Sequence, residues 1–278
     1  MSAARIAVPL EGRTVEVPVA ALEAELGRRG PIASLALIEA IALCAEGAAP
    51  HRIERGAAIR RLLDGLDGAQ PGTIALLTLL SLVRLDARAA AAPLAEARLA
   101  PPLSTIATAA AYVVDGAFDA LATAIAKDDQ LAQRAPLVLA AATGAPDGLA
   151  PAIAALLDAL ERLQPTLGVT AYRAFLGDLA EAVFRALQRG GDARRLLGDG
   201  REALIDRLCA ELPGTPDLVA ARGMAWLLGA IAPGDDAAKN AIERASARFR
   251  DPAFHRDCAA MLGELPGVGW PPVVGGRG

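Results

Sequence analysis

Residues Thr215 to Leu262 read TPDLVAARGMAWLLGAIAPGDDAAKNAIERASARFRDPAFHRDCAAML, and this stretch decides the fold. Thr215-Pro216-Asp217 has the signature of a helix start: a hydroxyl as N-cap, a proline at the first helical position and an acid near the positive end of the dipole. The helix it opens runs from Leu218 to Ile231 with Arg222 as its only charge. A helix apolar almost all round must be covered on more than one side. After Ala232-Pro233-Gly234 a second helix begins at Asp235-Asp236 and runs to Phe249. Its apolar stripe is Ala238, Ala241, Ile242, Ala245 and Phe249, and its polar face is Lys239, Asn240, Glu243, Arg244 and Arg248. A third opens at Asp251-Pro252 and points Phe254, Cys258, Met261 and Leu262 inward. A buried helix hairpinned to an amphipathic one is the unit of an α-solenoid, in which each unit hides its apolar face on the next.

Composition agrees with this unit. Of 278 residues, 54% are hydrophobic, mostly Ala and Leu, and 3% are aromatic. Small side chains suit close helix packing, whereas a β-sandwich wants β-branched and aromatic residues. The net charge of −4 and a pI near 5.4 argue against a general nucleic-acid binder, which needs basic surface to displace counterions. Cys44, Cys209 and Cys258 are odd in number and lie in apolar helical stretches, so they read as buried free thiols in a reducing compartment. The apolar run Ile74 to Val83 is ten residues long, half of what a membrane span needs. The run after Arg5 is too short for a signal peptide. The expected location is cytoplasmic.

Residues 1–19 differ from the rest in period. Ile6, Val8 and Leu10, then Val15, Val17 and Val19, alternate with smaller or polar residues, as in a hairpin. With Gly12-Arg13 as the turn, Leu10 would face Val15, Val8 face Val17 and Ile6 face Val19. The apolar face would then dock as an N-terminal cap, with Pro9 and Pro18 blunting the edges. From residue 20 to 264 the pattern is helical. Pro31, Pro50, Pro71 and Pro93 fall 19, 21 and 22 residues apart, one helix and its turn each. Helices are expected over 32–46, 53–66, 72–85, 87–99, 103–114, 118–127, 129–143, 150–163 and 169–188. Gly144-Ala145-Pro146-Asp147-Gly148 reads as a joint, and residues 189–201 as a long polar connection. The tail, 265–278, with Trp270 between glycine and prolines, reads as extended.

The proline punctuation, together with Asp251-Pro252 followed by Arg256 and Ala260, resembles HEAT-type helical repeats. That resemblance implies an α-solenoid of antiparallel helical hairpins behind the N-terminal β-hairpin. It brings two further expectations with it: a chromophore lyase acting on light-harvesting proteins, as some HEAT-like proteins are, or a HEAT-like DNA glycosylase. The acidic balance and the apolar setting of Trp226 weigh against the latter.

Catalytic motifs do not surface. The histidines are His51 and His255, too few for a paired His-Glu metal site, and His255-x-x-Cys258 lacks further ligands for tetrahedral closure. No Gly-x-Ser-x-Gly elbow, Walker loop or dinucleotide fingerprint occurs. Asp128-Asp129 and Asp235-Asp236 stand at helix starts, where capping accounts for them. The arginines stand out instead. Arg194, Arg195, Arg201 and Arg207 surround the glycine-rich connection, and Arg244, Arg248, Arg250 and Arg256 surround the last helical pair. Arg244 and Arg248 are i, i+4 neighbours that Arg256 can approach. The sequence therefore points to a non-enzymatic scaffold, adaptor or assembly chaperone without a cofactor. Its partner would be a protein with an acidic surface, met by Arg244, Arg248, Arg256, Arg194 and Arg195, rather than a nucleic acid or a membrane.

Overall fold

The chain opens with two short strands, β1 (Arg5–Leu10) and β2 (Arg13–Pro18), and the described residues after them are helix and connection. The structure, a computed structural model, describes residues 4–10, 13–66 and 71–265. Expectations placed on the Gly12 turn and on most of the tail lie outside these residues. The strands pair antiparallel with Ile6 opposite Val17 and Val8 opposite Val15. This register is shifted by two residues from the expected one, because the two residues between the strands are 11 and 12 rather than 12 and 13. A shift of two keeps every side chain on its face, whereas a shift of one would have reversed them. Ile6, Val8 and Val17 are accordingly buried, against the second helix. Val19 leaves the sheet and begins α1.

The chain divides into two compact units, residues 1–117 with 141–144, and residues 118–140 with 145–278. In the first unit the helices are α1 (Val19–Leu26), α2 (Leu35–Glu46), α3 (Arg55–Gly65), α4 (Gly72–Arg84), α5 (Ala91–Glu96) and α6 (Leu103–Asp115). The loosely patterned 87–99 region forms only a 3-10 turn and the short α5. α2 packs on α4, α4 on α6, and α5 on α6. Gly47 and Gly116 end α2 and α6 in the left-handed conformation, with φ of 75° and 73°, which a Cβ would penalise.

A buried ion pair ties α1 to α3 in this unit. Arg61 and Glu25 are each 2% exposed. Arg61 donates from Nε to the Glu25 carbonyl at 2.9 Å, from Nη1 to the Gly30 carbonyl at 2.8 Å, and from Nη2 to the Glu25 carboxylate. All three nitrogens of the fork are used, which is what makes a buried guanidinium tolerable. Nearer the surface Arg84 joins Glu39, at 2.8 and 2.9 Å, to Glu46, at 2.9 and 3.0 Å. Burial works against the Arg84 charge, but the hydrogen bonds and attraction from the two glutamates outweigh it and raise its pKa.

The second unit comprises α7 (Phe118–Ile125), α8 (Asp129–Ala141), α9 (Ala150–Leu163), α10 (Val169–Gln188), α11 (Ala193–Leu197), α12 (Arg201–Glu211), α13 (Leu218–Ile231), α14 (Asp236–Ser246) and α15 (Pro252–Met261). Aspartates start several of them. Asp128 accepts from Gln130 N, Asp217 from Ala220 N, Asp235 from Ala238 N and Asp251 from Phe254 N, at 2.7–2.8 Å. Asp217, not Thr215, therefore caps α13. Thr215 is buried and its hydroxyl turns back to the Glu211 carbonyl at 2.9 Å. The expected connection at 189–201 contains α11 and a 3-10 turn, because Asp192 caps Arg194 N at 2.8 Å and Leu196 and Leu197 are buried. Cys44 and Cys258 are buried free thiols, while Cys209 is half-exposed.

As its composition requires, α13 is covered on several sides, by α10, α12, α14 and α15. Its seam with α10 is backbone against backbone. A Cβ built on Gly177 would stand 2.5 Å from the Ala220 Cα, and one on Gly223 would stand 2.6 Å from the Gly177 carbonyl oxygen. Alanine would gain about 1 kcal/mol of helix propensity at either position, but these distances are shorter than any real contact and lie against main chain that cannot rotate away.

Two outcomes follow. Gly177→Ala and Gly223→Ala should each destabilise by about 1–3 kcal/mol despite the propensity gain, read as a lowered urea midpoint. Glu25→Ala, which strands the buried Arg61 charge, should cost about 3–5 kcal/mol, and Glu25→Met with Arg61→Leu should cost clearly less.

Candidate functional site

The five arginines singled out in sequence lie in the second unit, and the structure separates them by what their side chains do. Arg248 is not on α14. The helix ends at Ser246, three residues earlier than its stripe suggested, and Arg248 sits in the following turn, where Nη1 donates to the Pro213 carbonyl at 2.6 Å. The i, i+4 relation with Arg244 is therefore lost, and Arg248 is a fastener. Arg195 on α11 pairs with Asp147 at 3.1 Å while remaining 71% exposed, so the pair contributes little. Arg194, Arg244 and Arg256 are exposed, with no ion-pair or hydrogen-bonded side-chain partner among the described residues.

Several other arginines of this unit act at the ends of helices. Arg162 reaches the Ile125 carbonyl at 3.0 Å and Asp129 at 2.6 Å. Arg173 reaches the Gly214 carbonyl and Glu211 at 2.5 and 2.8 Å. Arg201 reaches the Ile231 carbonyl, and Arg207 reaches Gln164 at 2.7 Å. A helix C-terminus leaves carbonyls without intrahelical donors and carries the negative end of the dipole, so an Arg fork there is satisfied twice.

The residues that shape the α14–α15 surface lie on α13. Arg222 donates to Asp251 at 3.0 Å and lies 5.7 Å from the centre of the Trp226 ring. Trp226 Nε1 donates to Asp257 at 3.0 Å, and its ring meets Phe184 at 5.5 Å. Asp251 and Asp257 are thus turned toward α13. The interval 239–257 contains five cations, Lys239, Arg244, Arg248, Arg250 and Arg256, and three acids, Glu243, Asp251 and Asp257. With two of those acids bonded to α13, Glu243 is the fully exposed acid of this interval, which is locally positive on a chain of negative net charge, while the exposed Asp235 and Asp236 stand at the opposite end of α14.

Ser246 Oγ and His255 Nδ1 are 2.9 Å apart at the surface, but no carboxylate orients the ring among the described residues, so the dyad lacks the third member that activates a hydroxyl. Burial pushes the nearby Cys258 thiol up to about 11, which keeps it protonated and unreactive. An open cleft of about 320 Å³ between α9 and α12 has Leu157 and Leu160 as its floor and Asp158, Glu161 and Arg207 at its rim. A shallower one of about 590 Å³ before α8 is lined by Lys127, Asp128, Asp129 and Arg162, of which Asp129 and Arg162 bond to each other. Among the described residues no group of three or more His, Cys, Asp or Glu is placed to hold a metal ion, and no helix is long and apolar enough to cross a membrane.

Comparison with protein-family models, with curated proteins and with solved structures finds no match to this chain. The site must therefore be argued from its own geometry. The inward turn of Asp251 and Asp257 was not visible in sequence, because their partners Arg222 and Trp226 are 29 and 31 residues away. The one available signal was that Arg222, alone on an apolar helix, needed an acid.

Arg222→Met, which keeps the aliphatic stem and removes the fork, should lower stability by about 1–3 kcal/mol, with the helical circular-dichroism signal retained. A loss within experimental error would mean that the Asp251 pair is ordinary surface decoration.

Proposed function

We propose that the protein is a non-enzymatic helical-repeat scaffold, an adaptor or assembly chaperone, and that it holds an acidic protein surface against α14 and α15. The observation that carries this reading is the withdrawal of Asp251 and Asp257 toward α13, which leaves Arg244 and Arg256 exposed and un-neutralised. Exposed arginines without an ion-pair partner are available to an acidic partner surface on docking. Such charges act mainly on association rate and register, with the long-range part screened beyond about 8 Å at physiological salt. The repeat reading is supported by alternate-helix packing in the first unit, α2 on α4 and α4 on α6, which is how stacked helical hairpins bury their faces. Arg194 on α11 is a second exposed cation of the same kind.

The test is a paired affinity purification from the native host. Wild type and Arg244→Glu/Arg256→Glu are compared, and the recovered partner is then purified and titrated at low and high salt. Arg248 is left alone because it fastens the Pro213 turn. The double variant should keep its helicity and melting temperature, lose about tenfold or more in partner affinity at low salt, and lose less at high salt. Equal capture by both proteins, or unfolding of the variant, would remove the case for this face.

A further inference from the structure

We propose that the cleft between α9 and α12 is a binding site for a zwitterion with an aliphatic body, a free α-amino acid of the size of leucine. This is independent of the partner reading above. The two helices are joined at two places. At one, a Cβ built on Gly200, just before α12, would stand 2.8 Å from Leu157 Cδ1 on α9. At the other, Arg207 Nη1 on α12 donates to Gln164 Oε1, at the end of α9, at 2.7 Å. Both contacts join residues 43 positions apart, so α9 and α12 run parallel in one register. Between the joints α12 presents only the methyl of Ala203, and a cleft of about 320 Å³ is left open. Its floor is apolar, with Leu160 6% exposed and Leu157 half-buried.

The charges on the two rims do not meet. Asp158 and Glu161, three positions apart on α9, are exposed and have no ion pair or side-chain hydrogen bond among the described residues. Arg162 beside them is committed to Asp129 and to the Ile125 carbonyl. Across the cleft Arg207 gives one nitrogen to the neutral Gln164 amide and pairs with no carboxylate among the described residues. Glu211, one turn further along α12, is held by Arg173 at 2.8 Å. Two carboxylates and a guanidinium thus face each other over an apolar floor without closing an ion pair.

The class of ligand follows from the two rims together. An ammonium suits the carboxylates of α9, and a carboxylate suits the planar fork of Arg207. A simple cation would leave Arg207 unpaired, and a simple anion would be repelled by Asp158 and Glu161. The body between the two charges must be apolar to cover Leu157 and Leu160, and it must be short. Ligand sites span about 300–1,000 Å³, and a cleft at the lower end of that range suits one amino acid and not a large cofactor. Water reaches the rims, so each pair contributes modestly, and the dissociation constant is expected to be on the order of 1 mM.

An NMR titration of the isotope-labelled full chain with L-leucine tests this. Amides of residues 157–164 and 200–207, and the Arg207 Nε–H signal, should shift and saturate, with half-saturation below about 10 mM. Leucinamide, which keeps the ammonium alone, and N-acetyl-leucine, which keeps the carboxylate alone, should each bind about fivefold or more weakly. The same two compounds stand in for the first and last residues of a peptide, so the comparison separates a free amino acid from a chain terminus. Arg207→Gln should weaken leucine binding by a similar factor. Ala203→Leu keeps every charge and the Gln164 joint but fills the cleft from an exposed position, so it should retain the melting temperature and abolish the shifts. The proposal is overturned by shifts that do not saturate or that spread evenly over the chain. It is equally overturned if either half-ligand binds as tightly as leucine, or if Ala203→Leu binds as wild type does.

Discussion

The contact on which the second unit depends is the backbone approach of α10 to α13 at Gly177, Ala220 and Gly223. Dispersion falls steeply with separation, so two helices that meet without side chains between them gain contacts along the whole seam. The small residues permit this, and the larger ones on either side exploit it. Tyr172, Phe175, Leu179 and Val183 on α10, and Met224, Leu227 and Leu228 on α13, are all 3% exposed or less.

Arginine supplies most of the polar order around this apolar framework. In both units its forks close the C-terminal ends of helices or bridge carboxylates: Arg55 on the Leu85 carbonyl, Arg162 on Ile125, Arg173 on Gly214, Arg201 on Ile231, Arg248 on Pro213. A planar fork with five donors suits two acceptors at once, which a lysine ammonium does not, and the chain has only Lys127 and Lys239. Arg244 and Arg256 are among the described arginines without such a partner, and they share their helical pair with Asp251 and Asp257, which bond to α13. Their place on α14 and α15, and not the number of basic residues, supports the functional reading.

Local chemistry was legible in the sequence, and long-range geometry was not. α9 and α10 occupy the expected 150–163 and 169–188 because hydrophobic period and breakers agree at both ends. The faces of the hairpin were readable from alternation, but its register was not, since a turn at 11–12 and one at 12–13 leave the same residues on the buried face. Thr215 resembled a cap and proved to be a buried hydroxyl, because Asp217 competes for the same N–H groups and lies closer to the helix. Nothing in the local sequence marks Gly177 and Gly223 as more than helix-interior glycines, which carry a propensity penalty. Only the neighbouring helix, more than forty positions away, gives them a purpose. The same distance hid the pairs Arg222–Asp251 and Trp226–Asp257, and so the positive surface they expose.

The central physical claim is that the glycine seam, and not the peripheral α14–α15 pair, organises the second unit. Native-state hydrogen exchange at a single mildly acidic pH measures this directly, because local opening energies rank the elements. The account predicts that amides of α10 and α13 around residues 175–186 and 220–231 exchange slowest in this unit, with α14 and α15 opening without them. If α14 and α15 exchange as slowly as the seam, or the seam opens first, the account is contradicted.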